Sequence, residues 1–241
     1  MLTMQNLTVT YPDGTVAVDG LDLTVADGER VALIGANGAG KTSLLLALVG
    51  VLPHTGTVTV DGVTLDKHTL GEIRARVGMV FQNPDDQLFM PTIGEDVAFG
   101  PRNQGLPEDE VARRVTDALA QLGIGHLRER TALKLSGGEK RMAALATVLA
   151  MAPAALLLDE PTAFLDPRAR RTLIRALAPL VPARLVATHD LSFAVDTCPR
   201  CVLLREGRVF ADGASRTLLY DEALMEACGV EAIGVLESGG K

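Results

Sequence analysis

Aromatic residues are scarce in this chain, since they make up 3% of its 241 residues and tryptophan is absent. The apolar content therefore comes mostly from Ala, Val and Leu, which suit buried parallel strands and helix faces. An excess of positive charge is also missing, because the formal net charge is −7 and no long basic run occurs. A nucleic-acid-binding surface needs clustered Lys and Arg, so we expect no nucleic-acid partner.

Hydrophobic runs long enough to cross a membrane are missing as well. The longest apolar stretch, residues 142–158, falls short of the ~20 residues that a spanning helix needs, and Pro153 interrupts it. The N-terminus lacks the charged and apolar regions of a secretory signal. We therefore expect a cytosolic protein whose membrane role, if it has one, uses partner proteins.

Cysteine is rare too, with three residues, two of which form Cys198-Pro-Arg-Cys201. That spacing occurs in redox pairs and in half of a zinc site, but no second pair or histidine cluster accompanies it. In a reducing cytosol, two small, half-buried residues at a helix-to-strand junction are the simpler interpretation. The spacing alone leaves a redox role open.

The strongest chemical signal is the segment 35–42, Gly-Ala-Asn-Gly-Ala-Gly-Lys-Thr, which matches the phosphate-binding pattern of a P-loop. Residues 31–34 before it predict a strand and residues 43–49 after it predict a helix, as this motif requires. Backbone N–H groups of such a loop point at phosphate oxygens, while Lys41 would reach the β- and γ-phosphates. The predicted nucleotide-binding residues are Gly35, Ala36, Asn37, Gly38, Ala39, Gly40, Lys41, Thr42 and Ser43.

Hydrophobic periodicity predicts an α/β fold. Alternating segments at 2–11, 21–25 and 56–60, each bounded by turn residues, predict an antiparallel sheet beside the nucleotide-binding core. Short apolar segments with helical stretches between them predict a parallel sheet, at 31–34, 77–81, 155–158, 184–188 and 201–204, with a hairpin over 204–210. Residues 83–151 show helical spacing, which predicts an inserted helical subdomain.

Polar residues follow three of the predicted parallel strands, at the sheet edge where ligands bind in α/β folds. Asp159 would hold Mg²⁺ through water, Thr42 would supply a hydroxyl to the same ion, and Glu160 would polarise the attacking water. Gln82 is placed to contact Mg²⁺ or that water, and the imidazole of His189 is placed to hydrogen-bond the γ-phosphate and Glu160. A single Gln or His at a strand end is often structural, so their shared sheet edge carries this prediction.

The segment Leu135-Ser-Gly-Gly-Glu139 opens a predicted helix. Ser136 and Glu139 have the spacing of a capping box, which is a structural explanation for both. A helix does not need glycine in its first turn, where each glycine costs about 1 kcal/mol relative to alanine. Gly137 and Gly138 would allow close approach of an anion, which indicates a second phosphate site.

In this order and over nearly the whole chain, these motifs resemble those of the ATPase subunit of ABC transporters. The resemblance implies a head-to-tail dimer in which Ser136, Gly137 and Gly138 of one subunit close over ATP held by residues 35–43 of the other. It also implies that Tyr11 stacks on adenine, that Asp166 signals across the dimer, and that Glu160 and His189 carry hydrolysis.

The same resemblance implies one ABC ATPase domain over residues 1–241. Residues 1–82 and 152–241 would form the nucleotide-binding core with its antiparallel β subdomain. Residues 83–151 would form the helical subdomain, which carries the Q-loop that follows Gln82 and the signature segment 135–139.

Residues 82–89 and 91–101 look like the energy-coupling-factor branch, especially the ATPases of cobalt and nickel importers. In that branch this segment forms part of a groove for helices of a transmembrane coupling protein, and a separate membrane protein binds the substrate. The implied function is import of cobalt or nickel ion, or else a vitamin, by a cassette on the cytoplasmic face of the membrane. Its partner ATPase would be a second copy or a related chain.

Some sequence features are compatible with other interpretations of single residues or of the protein's function. The acidic pair Asp85 and Asp86 also fits a solvated loop. Phe164 is bulkier than the residue usual in its loop, and Glu139 replaces the commoner Gln, which bears on signalling across the dimer. Chromosome-maintenance and DNA-repair ATPases share the P-loop and signature but carry a long coiled coil, and related translation factors usually carry two cassettes, whereas this chain has one set of motifs.

Overall fold

The computed structural model describes residues 1–234, so the end of the predicted core segment 152–241 lies outside the described residues. The strands in that range are β1 (Leu2–Thr10), β2 (Val16–Val25), β3 (Arg30–Ile34), β4 (Thr55–Val60), β5 (Val63–Thr64), β6 (Val77–Val80), β7 (Ala155–Asp159), β8 (Ala183–Ala187), β9 (Arg200–Arg205) and β10 (Arg208–Ala214). The helices are α1 (Lys41–Leu48), α2 (Leu70–Arg76), α3 (Ile93–Asn103), α4 (Glu108–Gln121), α5 (Gly137–Leu149), α6 (Pro167–Leu177), α7 (Leu191–Thr197), α8 (Ser215–Leu218) and α9 (Glu222–Ala227).

The strands form two sheets. The first is antiparallel with the order β2-β1-β4-β5. The second has the order β10-β9-β3-β8-β7-β6, in which β10 pairs antiparallel with β9 and the other neighbours are parallel. The α/β fold with a parallel core and a separate antiparallel sheet is therefore confirmed.

Strand β3 lies at the centre of the second sheet and is buried on both faces. Val31 and Leu33 pack into a hydrophobic cluster with α1 and the antiparallel sheet. Ala32 and Ile34 pack into a second cluster with α3 to α7. Burial on both faces explains why these strands appear in the sequence as continuous apolar runs rather than alternating ones.

Helices α3, α4 and α5 pack against one another, and α5 also contacts β6 and α6. In α4, Val111, Val115, Ala118 and Leu119 are buried as their spacing predicted. The apolar run 142–158 divides into the end of α5, a turn at Pro153 and strand β7. Within residues 1–234, no helix is both long and apolar enough to cross a lipid bilayer.

Candidate active site

A cavity of about 660 Å³ opens at the carboxyl edge of the parallel sheet. Residues 37–43 line it, and so do the strand-end residues Gln82, Glu160 and His189, with Tyr11 at the end of β1. The sequence analysis placed Gln82, Glu160 and His189 at one sheet edge, and the structure brings them around one space with the P-loop. Ser136, Gly137, Gly138 and Asp166, by contrast, are not among its lining residues in the described chain.

The P-loop turns into α1 at Gly40, which has a φ of +100°. A Cβ atom at this position would lie 2.1 Å from the carbonyl oxygen of Ala17, so that only glycine fits both the backbone angle and the space. The helix consequently begins at Lys41, two residues earlier than the sequence predicted. Its first residues, Lys41 to Ser43, thus belong to the cavity wall, where a helix N-terminus favours an anion.

Lys41 is a buried cation, with 8% of its surface exposed. Its Nζ donates to the carbonyl oxygens of Gly35 at 2.6 Å and Ala36 at 3.1 Å. Burial lowers the pKa of Lys41, and the nearby charges of Glu160 and Asp159 oppose that change. Within the described part of the chain, the ammonium group of Lys41 has only neutral carbonyl oxygens as hydrogen-bond acceptors. A negatively charged phosphate oxygen would be a stronger acceptor, so the position of Lys41 fits a phosphate-binding role.

Oxygen atoms suited to a hard cation meet at the end of β7. The Thr42 hydroxyl donates to Oδ1 of Asp159 at 3.2 Å. Burial raises the pKa of Asp159, while the hydrogen bond from Thr42 lowers it. No three His, Cys, Asp or Glu side chains converge within residues 1–234. A hydroxyl and one carboxylate fit Mg²⁺, which usually takes its remaining ligands from phosphate and water.

Glu160 and His189 are in direct contact. Oε2 of Glu160 accepts the backbone N–H of His189 at 3.1 Å and lies 2.8 Å from its Nδ1. Glu160 has a φ of +43°, a left-handed conformation that costs a non-glycine residue energy and that clusters at functional sites. When Nδ1 donates to this carboxylate, Nε2 is left for another partner in the cavity.

Tyr11, the residue that the family resemblance predicts to stack on adenine, lies in the cavity wall. Its hydroxyl is 2.9 Å from Oγ of Ser43, so that β1 is linked to the first turn of α1. The sequence analysis did not predict this hydrogen bond, because the two residues are 32 positions apart.

The signature segment begins α5 with the predicted capping box. Oγ of Ser136 accepts the N–H of Glu139, and the carboxylate of Glu139 accepts the N–H of Ser136. A Cβ atom at Gly138 would lie 2.8 Å from Cβ of Ala169 in α6, whereas the nearest atom at Gly137 is a carbonyl oxygen 3.9 Å away. Packing within the chain therefore explains Gly138, and only Gly137 lacks a structural reason.

Arg141 is a residue that the sequence analysis missed. It lies on α5 with 1% of its surface exposed, and its guanidinium donates to the carbonyl oxygens of Phe81 and Gln82, both at 2.6 Å. Burial lowers the pKa of Arg141 to about 10, against the opposing charge of Asp159. A single arginine among the apolar residues of a buried helix was the available signal.

Cys198 and Cys201 are free thiols and almost fully buried, at 1% and 0% exposure. They lie where α7 leads into β9, more deeply than the sequence suggested. Burial raises the pKa of both thiols, that of Cys201 to about 12. Both features favour a packing role.

A model of the family described as ABC transporter matches residues 18–163, a range that includes the P-loop, Gln82, the signature segment and Glu160. The chain belongs to the ABC transporter family. As an ABC ATPase it hydrolyses ATP, which confirms the predicted activity.

Relatives of this ABC ATPase match it along nearly its full length. A putative ABC transporter ATP-binding protein of Geobacter sulfurreducens is 49% identical over 232 residues, covering 96% of this chain and 93% of the relative. The energy-coupling factor transporter ATP-binding protein EcfA of Methanothermobacter thermautotrophicus is 45% identical over 231 residues, covering 93% of this chain and 74% of the relative. The predicted resemblance to the energy-coupling-factor type is confirmed.

Solved structures agree with these relatives. The structure of cbiO1 from Clostridium perfringens, described as part of the ABC transporter complex cbiONQ, has a TM-score of 0.83 and 35% identity, covering 94% of this ABC ATPase and 93% of that chain. A dimeric ATP-binding cassette in a post-hydrolysis state with ADP and Pi has a TM-score of 0.79 and 27% identity, covering 90% of this chain and 99% of that chain.

Proposed function

We propose that this ABC ATPase hydrolyses ATP in the cavity described above and thereby energises import of a small substrate through transmembrane partner subunits. The observation that carries the proposal is the contact between Glu160 and His189 beside the P-loop. Cobalt or nickel ion is the substrate class we propose first, and a vitamin the second, because the chain is similar to EcfA and to cbiO1.

Residues 35–43 would hold the phosphates of ATP, with Lys41 as their buried counter-charge and Tyr11 beside the adenine. Thr42, Asp159 and Gln82 would hold Mg²⁺, which when bound neutralises charge on the phosphates. Glu160 would orient and polarise the water that attacks the γ-phosphate. His189, held through Nδ1 by that carboxylate, would offer its other nitrogen to the phosphate.

The active assembly would be a head-to-tail dimer. Ser136, Gly137 and Gly138 lie outside the cavity of their own chain, as groups that act on a partner's ATP would. A similar solved structure is a dimeric ATP-binding cassette in a post-hydrolysis state with ADP and Pi, which supports a dimer here. Asp166 would carry the signal between subunits, and the second subunit would be a copy or a related chain. Residues 1–82 and 152–241 would act as the core and 83–151 as the helical subdomain.

A pair of exposed aromatic residues in the helical region supports the proposal that membrane partners bind there. Phe89 and Phe99 stack edge to face, with ring centroids 5.0 Å apart, although 61% and 42% of their surfaces are exposed. In the loop that leads to Phe89, Asp85 forms an ion pair with Lys140 at 2.6 Å, so this acidic loop is partly neutralised. Exposed aromatic side chains of this kind typically mark an interface. We propose that a transmembrane coupling protein binds here, with a substrate-binding membrane protein, at the cytoplasmic face of the membrane.

The dimer can be tested with Glu160→Gln, which keeps the size of the side chain but removes its charge. We expect size-exclusion chromatography with ATP and Mg²⁺ to show a stable dimer, because ATP binds and is not cleaved. The matched control, Lys41→Ala in the same background, should stay monomeric. Monomers of Glu160→Gln under these conditions would refute the mechanism.

Import can be tested in cells that express this chain with its membrane partners. We expect uptake of radioactive cobalt or nickel that Glu160→Gln abolishes, and purification of the intact complex should identify the bound small molecule. Hydrolysis stimulated by DNA, with no uptake, would favour a role in DNA maintenance instead.

A further inference from the structure

An ion pair joins α6 to the loop that carries His189. Nε of Arg170 donates to Oδ2 of Asp190 at 2.7 Å, and its Nη2 donates to Oδ1 at 3.1 Å. This two-point geometry fixes both the distance and the orientation of the two groups. Asp166 caps the start of α6, so Arg170 lies one helical turn from the residue proposed to signal across the dimer.

Both carboxylate oxygens and the backbone N–H of Asp190 form hydrogen bonds, which restrain the loop. Its Oδ1 also accepts the N–H of Phe193 at 2.8 Å, which caps α7, and its own N–H donates to the Thr188 hydroxyl at 3.0 Å. Although burial alone would raise the pKa of Asp190, hydrogen bonds from Arg170 and Phe193 hold that pKa below its usual range. The carboxylate is therefore ionised at neutral pH.

The imidazole of His189, in contrast, has little packing of its own, since 69% of the side chain is exposed. Its position depends on the contact with Glu160 and on the backbone of residues 188–190. That backbone is fixed on one side by buried Thr188 and on the other by Asp190.

We propose that Arg170 and Asp190 are positioning residues that aim His189 at its partner in the cavity. This rests on the proposed role of His189 in hydrolysis. Through this pair, a displacement at the start of α6 reaches the catalytic loop of the same chain. The remaining groups near the guanidinium are Asp196, 3.8 Å from Nη2, and the ring of Phe193, whose centroid is 6.0 Å from Cζ.

The test is ATP hydrolysis by the full chain with Mg²⁺. We expect Arg170→Met to lower kcat about tenfold or more and to leave KM within about twofold, because a misaimed group weakens the reaction step rather than ATP binding. Arg171→Met is the matched control, since Arg171 is the next residue of the same helix and is exposed. It should behave as the unmodified protein.

A double-mutant cycle separates positioning from a merely structural role. In a His189→Ala background, measured in single turnover so that slow rates are resolved, Arg170→Met should cause no further loss. Asp190→Asn keeps the acceptor that caps α7 but loses the ion pair, so it should reproduce the lowered kcat. Arg170→Lys should recover part of kcat, and it keeps the test available if Arg170→Met does not fold.

Three results would count against these ideas in distinguishable ways. Unchanged kcat in Arg170→Met with an inactive His189→Ala would overturn the positioning role alone. Equal losses from Arg170→Met with and without His189 would show that Arg170 acts through the fold rather than through His189. Full activity of His189→Ala would instead refute the proposed catalytic role on which the inference rests.

Discussion

The buried guanidinium of Arg141 holds the backbone carbonyl of Gln82 at 2.6 Å. Arg141 belongs to α5, whose first turn carries the signature segment, while Gln82 follows β6 in the cavity wall. One side chain therefore connects the two segments proposed to contact different ATP molecules.

Arg141→Met should destabilise the fold. The carbonyl oxygens of Phe81 and Gln82 would lose their donors in two part-buried hydrogen bonds. A fully buried acceptor left unpaired costs about 1–3 kcal/mol, water can reach part of this site, and removal of the desolvated charge would offset a further part. We expect the free energy of unfolding in urea to fall by about 2 kcal/mol. Arg141→Lys should lose less, and exposed Arg171→Met should change it by less than about 0.5 kcal/mol. An unchanged midpoint in Arg141→Met would contradict this account of the contact.

The energetic cost of the left-handed backbone conformation at Glu160 can be measured by comparing two variants that both lack the carboxylate. At a φ of +43°, glycine is less strained than alanine. We expect Glu160→Gly to be more stable than Glu160→Ala by about 1 kcal/mol, the reverse of the usual order in helices. Neither should hydrolyse ATP. Thermal and urea unfolding give the comparison, and greater stability of the alanine variant would show that position 160 is unstrained.

The two signature glycines should respond differently to alanine. A Cβ atom at Gly138 would lie 2.8 Å from that of Ala169, whereas Gly137 has space. Gly138→Ala should therefore lower the melting temperature of the monomer, and Gly137→Ala should not, apart from the effect of helix propensity. Adding Ala169→Gly to Gly138→Ala should restore packing. If ATP hydrolysis stays low after this repair, Gly138 also acts on the nucleotide.

Cys198 and Cys201 should be unreactive in the native protein. Burial raises both thiol pKa values, so that at pH 8 little thiolate is present and reagents have no access to it. A chromogenic disulfide reagent should label neither residue until the chain is unfolded in guanidinium, when both react. Rapid native labelling of either residue, located by mass spectrometry, would reopen the redox interpretation of their spacing.

Local motifs made much of this protein predictable. The P-loop lies within eight consecutive residues, the strands are short apolar runs, and the capping box spans one helical turn, so each pattern is complete in a short segment. The hydrogen bonds of Arg141 with Gln82, Arg170 with Asp190 and Tyr11 with Ser43 join residues 59, 20 and 32 positions apart. No rule of local residue spacing specifies such pairs, because they depend on how the helices and loops pack against the sheet. Packing of Gly138 on α6 escaped prediction for the same reason.

Strand β3 has no solvent-facing side, since alternate residues of it belong to two different hydrophobic clusters. The strand that leads into the P-loop is thus packed between two hydrophobic layers. A substitution that changes the packing of one layer would also affect the other, because both layers contact the four consecutive residues 31–34. We therefore expect conformational change during ATP hydrolysis to be smaller in β3 than in the segments on the open side of the cavity.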